Sequence, residues 1–132
     1  QGLLADAQPF TLVQLLRALK QQGEIPAWGE LFDASCISFS YQTGVRKPSP
    51  TLYQTALKAF DRQGIAPAEI LYVGSRLPGD LAVAKGFGMR TALYAADKVS
   101  LQAKQADMKD PAIRPDRLLT NLASIRDILG GG

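Results

Sequence analysis

A doubly wound parallel α/β sheet is the fold class this sequence predicts, and three features predict it. Apolar runs of strand length alternate along the chain with segments whose apolar residues recur at helical spacing. The run Ile70-Leu71-Tyr72-Val73 is continuously apolar and stops at Gly74, as a strand buried on both faces of a parallel sheet does. Ser49-Pro50 sets a hydroxyl residue before a proline ahead of an amphipathic stretch, the arrangement that starts a helix. With 132 residues the chain is long enough for one domain of this kind, and a single domain over residues 1–132 is expected.

Taken in order, Gly2-Leu3-Leu4-Ala5 reads as the first strand, emptying into a loop at Asp6-Ala7-Gln8-Pro9. Leu12, Val13, Leu15, Leu16 and Leu19 then repeat at helical spacing, with Thr11 as the candidate N-cap and Gly23 as the stop. Residues 25–31 are broken by Pro26 and Gly29, and Trp28 reads as a packing residue. Ile37-Ser38-Phe39-Ser40-Tyr41 alternates with period two, predicting a half-buried strand near a sheet edge. Leu52, Tyr53, Ala56, Leu57 and Phe60 form the apolar stripe of the helix that Ser49-Pro50 starts and Gly64 ends. After the strand at 70–73 and a Gly-Pro-Gly loop, residues 81–85 predict a short helix closed by Gly86 and Gly88. Arg90-Thr91-Ala92-Leu93-Tyr94 resumes as a strand, residues 100–109 as a surface helix, and Leu118-Leu119 as a short edge strand. Leu122, Ile125, Ile128 and Leu129 line a terminal helix, and the tail at 130–132 is expected to be loose.

Composition narrows the chemistry. With 46% hydrophobic and 20% charged residues and a mean hydropathy of −0.03, the chain is neither low-complexity nor membrane-spanning. Fifteen Lys and Arg against twelve Asp and Glu leave +3, too scattered for a nucleic-acid footprint despite a pI near 9.2. Histidine is absent, so no Ser-His-Asp triad, imidazole shuttle or histidine metal ligand exists here. The single cysteine, Cys36, cannot form an internal disulfide or a structural zinc site, and reads as a buried thiol in a cytoplasmic protein. The chain starts Gln1-Gly2 without an initiator Met, so a processed, trimmed or truncated end is expected.

Parallel sheets carry their chemistry at the carboxyl ends of the strands. The positions to inspect are therefore Ala5-Asp6, the loop with Arg46-Lys47, and residues 74–80. Gly74 to Asp80 has the glycine spacing of a phosphate loop, but no Lys-Ser or Lys-Thr follows the second glycine, so it is not a Walker A loop. Gly86-Phe87-Gly88 lacks a third glycine and follows a helix, so it is a helix stop rather than a dinucleotide fingerprint. Proline beside Lys47 fixes the backbone next to an ammonium that can face a phosphate or carboxylate, though a surface lysine is the plainer reading. Asp80, at a helix start behind a strand, reads either as a metal ligand or as a carboxylate favoured by the helix dipole.

Together and in this order, these segments resemble the haloacid dehalogenase-like (HAD) hydrolase superfamily. Gly2-Leu3-Leu4-Ala5-Asp6 is similar to motif II, and Gly44-Val45-Arg46-Lys47-Pro48-Ser49-Pro50-Thr51-Leu52-Tyr53 to motif III with its lysine. Leu71-Tyr72-Val73-Gly74-Ser75 through Asp80 to Ala84, with Gly88-Met89 and Thr91, is similar to motif IV, and Arg114-Pro115-Asp116 to the family's usual ending. The resemblance implies an aspartate nucleophile, a second aspartate as acid/base, a motif II hydroxyl on phosphoryl oxygens, a charge-offsetting lysine, and motif IV acids holding Mg²⁺. It also implies that the motif I strand lies at the sheet centre between the strands of motifs II and IV.

The sequence departs from that pattern in three places. No Asp-x-Asp occurs in it, Ala5 takes the place of the motif II hydroxyl with Asp6 adding negative charge beside it, and Ser75 takes the place of the first motif IV aspartate. By the resemblance, Lys47 is the catalytic and phosphate-facing cation, Ser75 a phosphate hydrogen-bond donor, and Asp80 the remaining metal carboxylate, with Mg²⁺ binding weak at best. A small phosphorylated or anionic substrate is implied; nucleic acid and membrane are not. Ser75 is also shared with metal-free 2-haloacid dehalogenases, but their motif II serine and the asparagine near Leu77 are missing, so a phosphatase ancestry ranks first.

Two functions are carried forward. One is a phosphatase-type core fragment, inactive as the isolated chain; the other is a degenerate HAD-like binding or interaction module, motivated by Ala5 and Ser75. A receiver-like or generic ligand-binding domain of the same fold class ranks below both. Without a motif I strand, either a sheet closed up across the gap or a partner strand from an upstream segment or another chain is expected.

Overall fold

The computed structural model describes residues 1–24 and 26–130. Ile25, the first residue of the stretch broken by Pro26 and Gly29, and most of the tail expected to be loose, Gly131 and Gly132, lie outside the described residues. The chain divides into two compact units, Gln1–Gly64 and Ile65–Gly132.

In the first unit, β1 (Leu3–Ala5) pairs in parallel with β2 (Ile37–Phe39), Leu3 opposite Ile37 and Ala5 opposite Phe39. Between them run α1 (Thr11–Gln21) and the single turn α2 (Trp28–Leu31). Beyond β2 come α3 (Ser40–Thr43) and α4 (Pro50–Asp61). Ser49 stands at the N-cap of α4 and Pro50 at its first position, as expected, although the Ser49 hydroxyl makes no capping bond, and Leu52, Tyr53, Ala56 and Ala59 are buried. They pack with Cys36 and Phe39, which are also buried. Gly2 is required by close approach, because a Cβ there would meet the Cys36 carbonyl oxygen at 2.6 Å.

Two local readings change in this unit. Thr11 does not cap α1: it is the first helical residue, and its Oγ1 accepts the Gln8 N–H at 2.9 Å, closing the preceding turn. The period-two run stops as a strand at Phe39, because Ser40 begins α3, which ends in left-handed Gly44 with φ 72°. Ser38 and Ser40, the polar half of the alternation, are buried and bonded rather than solvated, Ser38 Oγ donating to Leu52 O at 3.1 Å.

The second unit is a parallel three-stranded sheet in the order β3 (Leu71–Gly74), β4 (Arg90–Tyr94), β5 (Arg117–Leu119). Leu71 lies opposite Arg90 and Ala92 opposite Arg117. A wide turn, Leu77–Leu81, leads into α5 (Ala82–Gly86), and α6 (Gln105–Lys109) and α7 (Ile125–Gly130) complete the unit. Leu77, Leu81 and Leu93 form a buried cluster, with Tyr72, Leu101 and Ala103 packed on it.

Here β3 is half-buried along its length rather than buried on both faces, and among the described residues it pairs with β4 alone. The surface helix expected over 100–109 forms only as α6, because the strand-like pairing of Gln102 removes the first half. Gln102 N–H donates to Ser75 O at 2.8 Å and its carbonyl accepts the Leu77 N–H at 2.7 Å. In the terminal helix Ile125 and Ile128 are half-buried, whereas Leu122 and Leu129 are 53% and 67% exposed. The strands of the two motif regions, β1 and β3, are assigned to different sheets, one in each unit. Among the described residues no helix is long and apolar enough to cross a membrane.

Candidate functional site

Loop ends carry the candidate residues, Lys47 in the first unit and Ser75 and Asp80 in the second. In the first unit the sequence after β1 turns sharply, and Ser40 fastens the turn: its Oγ accepts the Ala7 N–H at 2.9 Å and donates to the Ala7 carbonyl at 3.1 Å. Asp6, one residue past β1, accepts the backbone N–H of Lys47 on Oδ1 at 2.7 Å. That bond spans 41 residues and ties the end of β1 to the loop bearing the lysine. Gly44 in its left-handed turn ends α3, Ser49 N–H closes on Arg46 O at 2.9 Å, and the Lys47-Pro48 peptide is cis. Lys47 itself is half-buried.

A cavity of about 170 Å³ opens beside this tie, lined by Asp6, Ala7, Gln8, Thr11, Ser40 and Arg46. Ser40 was legible only as half of an alternating strand, and Arg46 only as the neighbour of Lys47. The signal that finds Ser40 is a polar residue at a strand end immediately before a predicted turn, where its hydroxyl can satisfy loop backbone groups.

In the second unit the sequence after β3 approaches its surroundings closely: a Cβ on Gly74 would lie 3.0 Å from Leu81 Cδ1 and 3.2 Å from Tyr72 Cε1. Ser75 follows, half-buried, with its carbonyl held by Gln102, and the turn Leu77–Leu81 brings Asp80 to 3% exposure. The Asp80 N–H closes on Arg76 O at 2.9 Å, and its Oδ1 is fully buried. Ser75 and Asp80 thus sit at the two ends of one short, backbone-tied loop.

The donor set bears on a divalent cation. Magnesium prefers oxygen ligands in octahedral array and is commonly held by one or two carboxylates with substrate phosphate and water completing the shell. Among the described residues no group of three or more His, Cys, Asp or Glu could hold a metal ion. Asp80 offers one carboxylate and Ser75 a neutral hydroxyl, so a Mg²⁺ ion held there would draw the rest of its shell from substrate phosphate and water.

Farther along the second unit, Asp116 binds the start of β4 through Thr91, accepting its N–H at 2.7 Å and its Oγ1–H at 3.0 Å. Lys85 Nζ reaches Asp116 at 3.4 Å and donates to Arg114 O at 2.6 Å. Partial burial pushes the Asp116 carboxyl up, but the two Thr91 hydrogen bonds and the Lys85 charge outweigh it, and the net shift is downward.

A family model described as HAD-hydrolase-like matches residues 44–125. The chain is 34% identical over 86 residues to glyceraldehyde 3-phosphate phosphatase of Pyrococcus furiosus, covering 65% of this chain and 32% of that protein. It is also 34% identical over 85 residues to phospholysine phosphohistidine inorganic pyrophosphate phosphatase of Xenopus laevis, covering 64% of this chain and 29% of the relative. Among solved structures, a HAD phosphatase from Thermococcus onnurineus superposes with a TM-score of 0.67 at 21% identity, covering 98% of this chain and 50% of that one. The putative HAD-hydrolase YfnB from Bacillus subtilis, bound to magnesium, gives 0.67 at 18% identity, over 94% and 46%. The chain therefore spans about a third of the length of these curated relatives and about half that of the solved structures.

Proposed function

The chain belongs to the HAD-hydrolase-like family, and from that premise we propose that it is the phosphate-handling part of a phosphatase core, without turnover of its own. The observation that carries this reading is the Asp6–Lys47 tie, which fixes a lysine loop at the carboxyl end of a parallel strand. Lys47 then supplies the positive charge that lets an anionic group approach a phosphorylated small molecule. Ser75 supplies a hydroxyl donor to phosphoryl oxygens, and Asp80 one carboxylate toward a loosely held Mg²⁺ that arrives with substrate. No Asp-x-Asp is present in the sequence, so the covalent step of the family has no nucleophile within these 132 residues.

Among the described residues both β1 and β3 pair with a strand on one side only. A strand from another part of the same polypeptide or from another chain is proposed to pair there, since open strand edges favour association. Residence in the cytoplasm is proposed on the single unpaired cysteine.

A second reading, a degenerate binding module, is favoured by Ala5 and Ser75, two departures that do not follow from the missing nucleophile. The experiment is a hydrolysis assay of a general phosphomonoester, p-nitrophenyl phosphate, with and without Mg²⁺. It is run on the pure chain and on a mixture with a polypeptide supplying an Asp-x-Asp strand. Turnover by the pure chain overturns the proposal. Turnover only in the mixture, lost in Lys47→Ala, supports the phosphatase core; none in either, with phosphate still bound, supports the binding module.

A further inference from the structure

Helix α1 borders a second cavity, which neither the Lys47 loop nor the Asp80 loop uses. Its apolar residues recur at helical spacing, yet none is buried, and Val13 is 50% exposed. The cavity holds about 480 Å³, within the roughly 300–1,000 Å³ range of small-ligand sites. Val13, Leu16, Pro26, Ala27 and Trp28 give it an apolar lining, and Arg17 and Lys20 complete the wall.

Two features make this more than an uncovered helix face. Trp28 packs on Phe32, ring centroids 4.8 Å apart, which gives the cavity an aromatic wall. Arg17 and Lys20, three residues apart on one helical face, converge on the same space, and neither is salt-bridged to a carboxylate among the described residues. Lys20 lies in the last turn, where the helix carbonyls favour a cation, but Arg17 stands a turn earlier without that reason.

A wholly apolar ligand would leave the two cations unanswered, and a bare inorganic anion would gain nothing from Trp28 and Leu16. Charge and lining are satisfied together by one class of molecule. We propose that this cavity is a binding site for a small amphipathic carboxylate, its aliphatic or aryl body against Val13, Leu16 and Trp28 and its carboxylate paired with Arg17 and Lys20. The proposal is independent of the phosphate reading.

Trp28 is the only tryptophan in the chain, so its emission reports this site alone. Octanoate, octanol and acetate are titrated against the chain and against a variant carrying Arg17→Gln and Lys20→Gln, both exposed positions, with circular dichroism checking the fold. Octanoate is expected to give a saturable change, octanol to bind at least about tenfold more weakly, as loss of a charge-assisted contact requires, and acetate likewise, as loss of the buried apolar body requires. In the variant, octanoate falls to the level of octanol. The proposal is overturned by an absent or unsaturable response, by equal affinity for octanol, or by indifference to the double substitution. It is equally overturned if Trp28 emission of the ligand-free chain depends on protein concentration, because a second copy then covers this face.

Discussion

Asp6 acts on its loop in two opposed ways. Its Oδ1 holds the Lys47 N–H, while its charge opposes any anion that Lys47 attracts. The two effects separate by substitution, since asparagine keeps the acceptor and removes the charge. Asp6→Asn is expected to tighten inorganic phosphate binding about fivefold, equivalent to about 1 kcal/mol for a charge several ångströms away at the surface. Asp6→Ala, which breaks the tie, is expected to weaken it; calorimetric titration of both variants decides. Asp116 gives a pH prediction. Its carboxyl titrates below the ordinary value when folded, because Thr91 and Lys85 outweigh the effect of burial. Its contribution to stability is therefore present above the unfolded-state pKa and lost as pH falls through the folded one. Asp116→Asn is expected to flatten the acid limb of a melting-temperature profile between about pH 5 and pH 3. An unchanged limb would assign acid sensitivity to other carboxylates, Asp33 and Asp97 among them, which are also shifted downward.

Among the elements, α4 and β4 were the most legible. Proline at the first helical position and a continuous stripe at Leu52, Tyr53 and Ala56 act within a few residues, and local rules suffice for them. The errors arose where distant backbone claimed a segment. Gln102 was read inside a helix, yet its N–H and carbonyl pair with Ser75 and Leu77, a contact between residues 27 and 25 positions apart that no local pattern encodes. Ser40 was read as a strand residue, yet its hydroxyl satisfies Ala7 across 33 positions. Gly2 belongs to the same class: nothing around it in sequence marks it, but the Cys36 carbonyl leaves no room for a side chain. Gly2→Ala is expected to cost about 1–3 kcal/mol, the usual range for overpacking, in a denaturant melt. A neutral result would mean that the start of β1 shifts freely.

On the scale of the whole molecule, the fold class was legible because alternation of strands and helices leaves few topologies once crossovers are right-handed. The solved structures that share the fold support that reading over nearly the whole chain. The loops that carry the candidate residues Lys47, Ser75 and Asp80 were legible in order, but not the surroundings of those residues. Spacing alone does not tell that Asp6 bonds a backbone amide or that Asp80 is buried behind the turn Leu77–Leu81. The central claim is that these loops still handle phosphate although the sequence carries no Asp-x-Asp. A titration of the pure chain with inorganic phosphate, followed by amide nuclear magnetic resonance shifts in the presence of EDTA, tests it most directly. The account predicts saturable shifts at the amides of Arg46 and Lys47 that vanish in Lys47→Ala. Shifts that are absent, or that survive Lys47→Ala unchanged, would contradict it.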